Sequence, residues 1–163
     1  MLRQRCQARG NQAQRAATAL AIALTTVWIA APCAWAALGQ SVESVAEDQR
    51  QMRGTLRSSQ GQGFQMQEIA SEDGNTVRQY VSPAGTVFGV SWTGPTVPDL
   101  ALLLGPYFDE FRAAAYSPVR RHHPVTLRTE HLVIQTGGHV RALRGRVYLP
   151  SLVPASVAAG IIQ

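Results

Sequence analysis

Three arginines on two predicted strands carry the clearest chemistry in this sequence. Arg144 and Arg146 are two residues apart, so their side chains lie on the same face of a strand. Arg78 lies on another predicted strand, with Tyr80 beside it, and Tyr148 follows Arg146. Because guanidinium groups bind carboxylates and phosphates through paired hydrogen bonds, the pattern predicts a basic sheet face that binds an anionic ligand.

The same arginines also fit an ordinary polar outer face of a sheet. In that case they form cross-strand ion pairs with Glu68 or Glu130, and no ligand is needed. The charge of the sheet face distinguishes the two interpretations. Acids interleaved with the arginines would contradict an anion-binding face. The sequence leaves both open.

The four histidines raise the question of a metal site, since imidazole is a common metal ligand. His122 and His123 are adjacent in a predicted loop, an arrangement that rarely chelates one ion well. No carboxylate cluster or cysteine lies at a spacing that would support them. We therefore predict no metal and no other cofactor.

His139 is the one histidine placed to contribute to the basic face. It follows Gly137-Gly138, where it can reach across the end of a predicted hairpin. The predicted ligand-binding residues are therefore Arg78, Tyr80, His139, Arg144 and Arg146.

No catalytic residues are predicted. A strained G-x-S-x-G turn would indicate a serine hydrolase, but the sequence contains no such motif. Asp99 is better explained as an acid at the start of a helix. The only cysteines, Cys6 and Cys33, precede the predicted exported domain, which excludes thiol and disulfide chemistry there.

The basic charge of the chain is concentrated near its beginning. The protein has 163 residues, a formal net charge of +5 and a pI near 10.0. Four of its 15 basic residues, all arginines, precede a long apolar run that begins at Ala16, and all 10 acids follow that run. The remaining residues are nearly neutral, so nucleic acid is not an expected partner.

Residues 1–36 have the three parts of a secretory signal peptide. An arginine-bearing start precedes the apolar run, and Ala34-Trp35-Ala36 forms an A-x-A cleavage site. The run ends at Ala31 and is shorter than the roughly 20 residues that span a membrane. We expect cleavage after Ala36, a periplasmic or secreted protein, and no membrane span after cleavage. An uncleaved membrane anchor is the alternative.

Residues 37–163 are predicted to form a single α+β domain. A short surface helix over residues 41–53, with Ser41 as its N-cap, is followed by a flexible polar linker at 58–63. Three strands then form a meander, with turns at Asp73-Gly74 and Ser82-Pro83-Ala84-Gly85. On the third strand one face is predicted to lie toward the core, and it carries Phe88, Val90 and Trp92.

The principal helix is predicted to begin at Thr96 as its cap, with Asp99 in the capping-box position. Apolar residues recur at helical spacing from Leu100 to Phe111, interrupted by Gly105-Pro106. Because proline removes a helical hydrogen bond, we expect one kinked helix, or two short helices with Pro106 opening the second.

A second hairpin is predicted after a polar connection at 116–130. Its strands, 131–136 and 139–149, flank Gly137-Gly138 as a tight turn. The predicted antiparallel sheet has about five strands, the meander and this hairpin, packed against the kinked helix. The tail at 151–163 is weakly patterned and either docks or frays.

The order of several short motifs resembles a family of exported proteins from Gram-negative bacteria, catalogued as a domain of unknown function (DUF2844). The motifs are RQYVSPAGTVF at 78–88, WTGPTVPDL at 92–100, LGPYF at 104–108, GGHVRA at 137–142 and GRVYLP at 145–150. The resemblance implies an exported one-domain protein and supplies no activity, cofactor or site residues.

The function predicted from the sequence is a non-catalytic module of the cell envelope that binds a partner protein or an anionic ligand. A small hydrolase-like enzyme is the alternative from a different class. A structural envelope protein is the third possibility.

Overall fold

A computed structural model of the chain describes residues 38–115 and 125–163. These residues form an α+β fold around one antiparallel sheet of seven strands in the order β1-β2-β3-β4-β7-β6-β5. The strands are β1 (Thr55–Gly61), β2 (Phe64–Ala70), β3 (Thr76–Val81), β4 (Val87–Gly94), β5 (Val125–Arg128), β6 (Val133–His139) and β7 (Ala142–Tyr148). The helices are α1 (Val45–Gln51), α2 (Leu100–Leu104) and α3 (Phe108–Ala115).

The prediction of about five strands was wrong, because both edge strands lie in segments predicted to be irregular. Strand β1 lies partly in the predicted linker and pairs with β2 from Thr55–Ala70 to Gly61–Phe64. Strand β5 lies in the predicted polar connection and pairs with β6. An edge strand such as β1 exposes most of its side chains and needs no hydrophobic alternation, so its sequence lacks the usual signal.

The predicted meander and both of its turns are confirmed. In the second turn the N–H of Gly85 donates to the carbonyl of Ser82 at 2.9 Å, and the N–H of Ser82 donates to the carbonyl of Thr86 at 2.8 Å. Gly85 has a φ of +78°, the left-handed conformation that closes such a loop and that glycine adopts without strain. This turn delivers the chain into β4, the central strand.

The predicted orientation of Phe88 was wrong, because β4 contains a β-bulge. The register of β3 and β4 shifts from Tyr80–Gly89 to Val81–Val87, which leaves Phe88 as the extra residue. Val90 and Trp92 enter the main core together with α2, whereas Phe88 packs in a second apolar cluster with Tyr80. One inserted residue therefore moves Phe88 to the opposite face of the sheet.

The predicted principal helix is two short helices, the second of the two expected arrangements. A 3₁₀ turn, Gly105–Tyr107, separates α2 from α3, and Pro106 lies in that turn and does not begin α3. The cap is Asp99, not Thr96: the Asp99 carboxylate accepts from the N–H groups of Ala101 at 2.9 Å and Leu102 at 3.1 Å. Helix α2 therefore begins at Leu100, later than predicted.

The first helix is more deeply buried than its thin apolar stripe predicted. A 3₁₀ turn, Val42–Ser44, leads into α1, and Ser41 makes no side-chain capping bond. Val45 is 2% exposed and Asp48 is 0% exposed. Helix α1 thus buries an acid against the sheet, which the sequence pattern did not indicate.

The second hairpin turns three residues later than predicted. Gly137 and Gly138 lie inside β6, opposite Arg144 and Leu143, and the chain reverses at Val140 and Arg141. Arg141 adopts a φ of 64° in this turn. The shift places His139 at the end of a strand.

The tail docks on the sheet and does not fray. Two 3₁₀ turns, Pro150–Leu152 and Ala159–Ile161, lead to Ile162, which is 0% exposed. Ile162 belongs to the second apolar cluster with Tyr80, Phe88 and Val157. This face of the sheet therefore has a small core of its own, separate from the main one.

Candidate functional site

A groove of about 990 Å³ is lined by residues of the five strands β3 to β7 and by the end of the tail. Four of the five predicted ligand-binding residues line it: Arg78, His139, Arg144 and Arg146. We call this cavity the arginine groove. The structure therefore brings the two arginines of β7 together with the arginine of β3, as the sequence alternation predicted.

The arginine groove rests on one row of cross-strand neighbours. Arg78 on β3 is paired with Glu68 on β2 and with Ser91 on β4. Along the same row, Arg146 on β7 is paired with Ser91 and with Gln135 on β6. Because side chains alternate between the faces of a sheet, these five residues share a face. It is the face opposite the buried Val77, Val90 and Val147, which contribute to the main core.

Arg78 lines the groove and also forms a cross-strand ion pair, so it has a feature of each interpretation of the basic face. Its Nε donates to Oε2 of Glu68 at 2.8 Å, so the predicted cross-strand ion pair with Glu68 is present. Its Nη1 donates to the backbone oxygen of Gln163 at 3.3 Å. Arg78 is half-buried, and its ion pair with Glu68 already offsets part of its charge.

Arg144 and Arg146 differ from Arg78 because they form no ion pair with any carboxylate in the part of the chain that the structure describes. The guanidinium of Arg146 donates from Nε to Oε1 of Gln135 at 2.7 Å and from Nη1 to the backbone oxygen of Ile162 at 2.9 Å. Arg144 is exposed. The alternative ion pair with Glu130 is not formed, so the positive charges of Arg144 and Arg146 are not offset by a paired carboxylate of the described residues.

Tyr80 lies on the same face as Arg78, as predicted, but it does not line the groove. It is 2% exposed and packs between the rings of Phe64 and Phe88. Its hydroxyl donates to the backbone oxygen of Gln163 and accepts from the N–H of Gln163, each at 3.0 Å. The structure therefore places Tyr80 beneath the tail.

Sequence reasoning missed three residues at this site. Ser91 donates its hydroxyl to the backbone oxygen of Gln163 at 2.6 Å, and Ile162 and Gln163 line the groove. Alternation along β4 places Ser91 on this face, but a single serine carries no functional signal. The weakly patterned tail gave no indication of where it would dock.

Two of the four histidines, His131 and His139, lie in the described part of the chain. No group of three or more possible metal-binding residues occurs among the described residues, and His122 and His123 lie outside them. His131 forms an ion pair with Glu110 at 3.3 Å when its ring is protonated. A hydrogen bond from Thr129, followed by bonds and charge from His131, lowers the pKa of Glu110.

A second cavity, of about 360 Å³, lies between the end of α1, the β2–β3 turn and the start of α2. Its polar groups bond to one another: Ser71 donates to the carbonyl of Met52 at 3.0 Å, and Asn75 donates to the carboxylate of Asp73 at 2.8 Å. Asp99 caps α2. These groups stabilise local structure, so the arginine groove is the stronger candidate for a binding site.

Comparison with known proteins gives one match. Residues 34–162 match the sequence model of a family described as "Protein of unknown function (DUF2844)", which confirms the resemblance carried by the motifs. No curated protein and no solved structure matches the chain. In the described part of the chain, no helix has the length and apolar character to cross a membrane.

Proposed function

The chain belongs to the DUF2844 family of proteins of unknown function, and we propose from its own geometry that it is a non-catalytic module that binds an anionic ligand in the arginine groove. One observation carries this proposal. Arg144 and Arg146 line the same groove, and neither forms an ion pair with a carboxylate within residues 38–115 and 125–163. Uncompensated guanidinium groups in a concave site attract an anion.

The ligand class follows from the groups that line the groove. Arginine forks match the planar oxygens of a carboxylate or the oxygens of a phosphate. Gln135, on the same face as Arg146, adds a neutral polar group that can orient a ligand. The volume of about 990 Å³ is at the upper end of the roughly 300–1,000 Å³ typical of small-molecule pockets. A small molecule with one or more carboxylate or phosphate groups therefore fits the site.

The hydrolase alternative has less support from the groove. Ser91 is the serine beneath the arginines, and its hydroxyl donates to the backbone oxygen of Gln163 at 2.6 Å. A nucleophilic serine donates instead to a general base. Ser91 therefore holds the tail and is not oriented for nucleophilic attack.

The location that we propose is the periplasm or the outside of the cell, after cleavage following Ala36. The three-part pattern of residues 1–36 supports export. The intact mass of protein recovered from the periplasm tests it: a chain that begins at Ala37 is expected, and a chain that retains the leader would refute cleavage.

Calorimetric titration with inorganic phosphate and with citrate tests the binding function. Arg144→Ala is the clearest variant, because Arg144 is exposed and makes no ion pair among the described residues. We expect affinity to fall about tenfold or more, consistent with the loss of a charge-assisted bond pair. Affinity should also fall as ionic strength rises.

Arg112→Ala is the matched control. It removes one equally charged arginine, which is exposed and pairs with Asp109 at 3.0 Å away from the groove. Equal losses for Arg112→Ala and Arg144→Ala would show a net-charge effect only. No measurable binding of either anion by the unaltered protein would reject the proposed function.

A further inference from the structure

The end of the tail and the arginine groove share two guanidinium groups. Arg146 donates from Nη1 to the backbone oxygen of Ile162 at 2.9 Å, and Arg78 donates from Nη1 to that of Gln163 at 3.3 Å. Both arginines line the groove. A ligand that binds Nη1 of either arginine must therefore compete with the tail.

A second nitrogen of each guanidinium is also engaged. Nε of Arg78 is bonded to Glu68, and Nε of Arg146 is bonded to Gln135. Bidentate binding of a carboxylate or phosphate needs two adjacent nitrogens of one guanidinium. Each guanidinium has five N–H donors, and the bonds at Nε and Nη1 use two of them. Release of the tail therefore makes Nη1 of each arginine fully accessible to a ligand that binds the Nη1–Nη2 edge.

Two further side chains hold the tail but do not line the groove. Ser91 donates to the backbone oxygen of Gln163 at 2.6 Å, and Tyr80 bonds to both the backbone oxygen and the N–H of Gln163 at 3.0 Å. Neither residue is among those that line the cavity. The tail and the ligand thus have separate contacts as well as shared ones.

We propose that residues 162–163 are a built-in competitor for the anionic ligand of the arginine groove. Ser91 and Tyr80 act as the clasp that keeps the tail on Arg78 and Arg146, and ligand binding requires the backbone of Gln163 to leave that clasp. This inference rests on the anion-binding function proposed above. Gln163 is exposed, so it can detach while the buried Ile162 side chain stays in its apolar cluster.

If the tail competes with the ligand, loss of a clasp contact should raise the affinity for phosphate. Removing a clasp contact weakens the tail without removing a donor that lines the groove. Ser91→Ala and Tyr80→Phe should therefore bind inorganic phosphate about three- to tenfold more tightly than the unaltered protein, since each removes one or two of the hydrogen bonds that hold the competitor. Ser59→Ala on the exposed edge strand β1 is the matched control and should leave the affinity unchanged.

Amide hydrogen exchange at Gln163 supplies a readout that does not depend on affinity. The Gln163 N–H is bonded to Tyr80, so it should exchange slowly in the unaltered protein and faster in both clasp variants. Saturating phosphate should also accelerate its exchange in the unaltered protein. A merely structural tail would show no response to phosphate.

The outcomes separate the two proposals. If the clasp variants release Gln163 but bind phosphate with unaltered affinity, the competition is refuted and the binding function stands. If exchange at Gln163 is unchanged in both variants, the clasp is refuted. If the unaltered protein fails to bind phosphate and citrate, the binding function has failed, and the competition, which rests on it, falls with it.

Discussion

The carboxyl group of Asp48 on α1 meets the carboxamide of Gln79 on β3 inside the main core. Asp48 is 0% exposed and Gln79 is 1% exposed, and Nε2 of Gln79 donates to Oδ2 of Asp48. The other oxygens, Oδ1 of Asp48 and Oε1 of Gln79, have no hydrogen-bond partner among the described residues. A proton on the Asp48 carboxyl would remove its buried charge and supply a hydrogen-bond donor, so burial favours the neutral form of Asp48.

The stability of the fold should therefore decrease as pH rises toward neutrality. Burial is the main cause that raises the pKa of Asp48 from 3.8 to about 7. The hydrogen bond from Gln79 opposes this increase in part, and the charge of Glu47 adds to it. Between these values the folded state keeps a proton that the unfolded state releases, which lowers the free energy of unfolding by about 1.4 kcal/mol per pH unit. Denaturant titrations between about pH 5 and about pH 8 measure this slope.

Asp48→Asn is the variant that isolates this effect. Its amide can donate to Oε1 of Gln79 and accept from Nε2 at every pH, so we expect the pH slope to flatten and stability at about pH 8 to exceed that of the unaltered protein. An undiminished slope in Asp48→Asn would assign the pH dependence to other groups.

Gly145 should tolerate no side chain. A Cβ at this position would lie 2.1 Å from Cζ2 of Trp92, whose ring lies across the glycine from the neighbouring strand. Gly145→Ala must displace a buried ring, so we expect destabilisation of about 1–3 kcal/mol or more, as for other overpacked cores. Thermal unfolding measures the loss. Gly160→Ala, which has no neighbour within 4 Å, is the control and should change stability little.

Ile162 should anchor the tail. Its side chain is 0% exposed, and Gly89 makes room for it, since a Cβ at Gly89 would lie 2.8 Å from Cδ1 of Ile162. Ile162→Ala should cost about 2–5 kcal/mol of unfolding free energy. The neighbouring Ile161 is only partly buried, so Ile161→Ala should cost clearly less in the same denaturation experiment. Equal losses would contradict the anchoring role.

Asp99 should contribute to stability through its cap. Asp99→Ala leaves the N–H groups of Ala101 and Leu102 without their acceptor and should cost about 0.5–2 kcal/mol. Asp109→Ala removes another exposed acid, which pairs with Arg112, and should cost less, because surface ion pairs contribute little. Chemical denaturation of both variants compares them. A loss for Asp109→Ala as large as that for Asp99→Ala would show that the cap has no special role.

Strand alternation and turn chemistry determine much of the candidate site at the level of the sequence. Arg144 and Arg146 must share a face because they are two residues apart in a strand, and the turn closed by Gly85 sets the direction of β4. Glu68 was the correct partner for Arg78. These features depend on neighbours along the chain, which the sequence displays directly.

The tertiary structure decided what depends on a partner strand or a distant segment. The bulge that reverses Phe88 exists only in the register of β3 against β4, and β1 is a strand only because β2 supplies its hydrogen bonds. The burial of Asp48 depends on where α1 packs, and the contacts of Gln163 with Ser91 and Tyr80 join residues more than seventy positions apart. Local periodicity carries no information about such pairings. The sequence alone therefore predicted a basic face, and only the folded chain showed that its own tail lies on it.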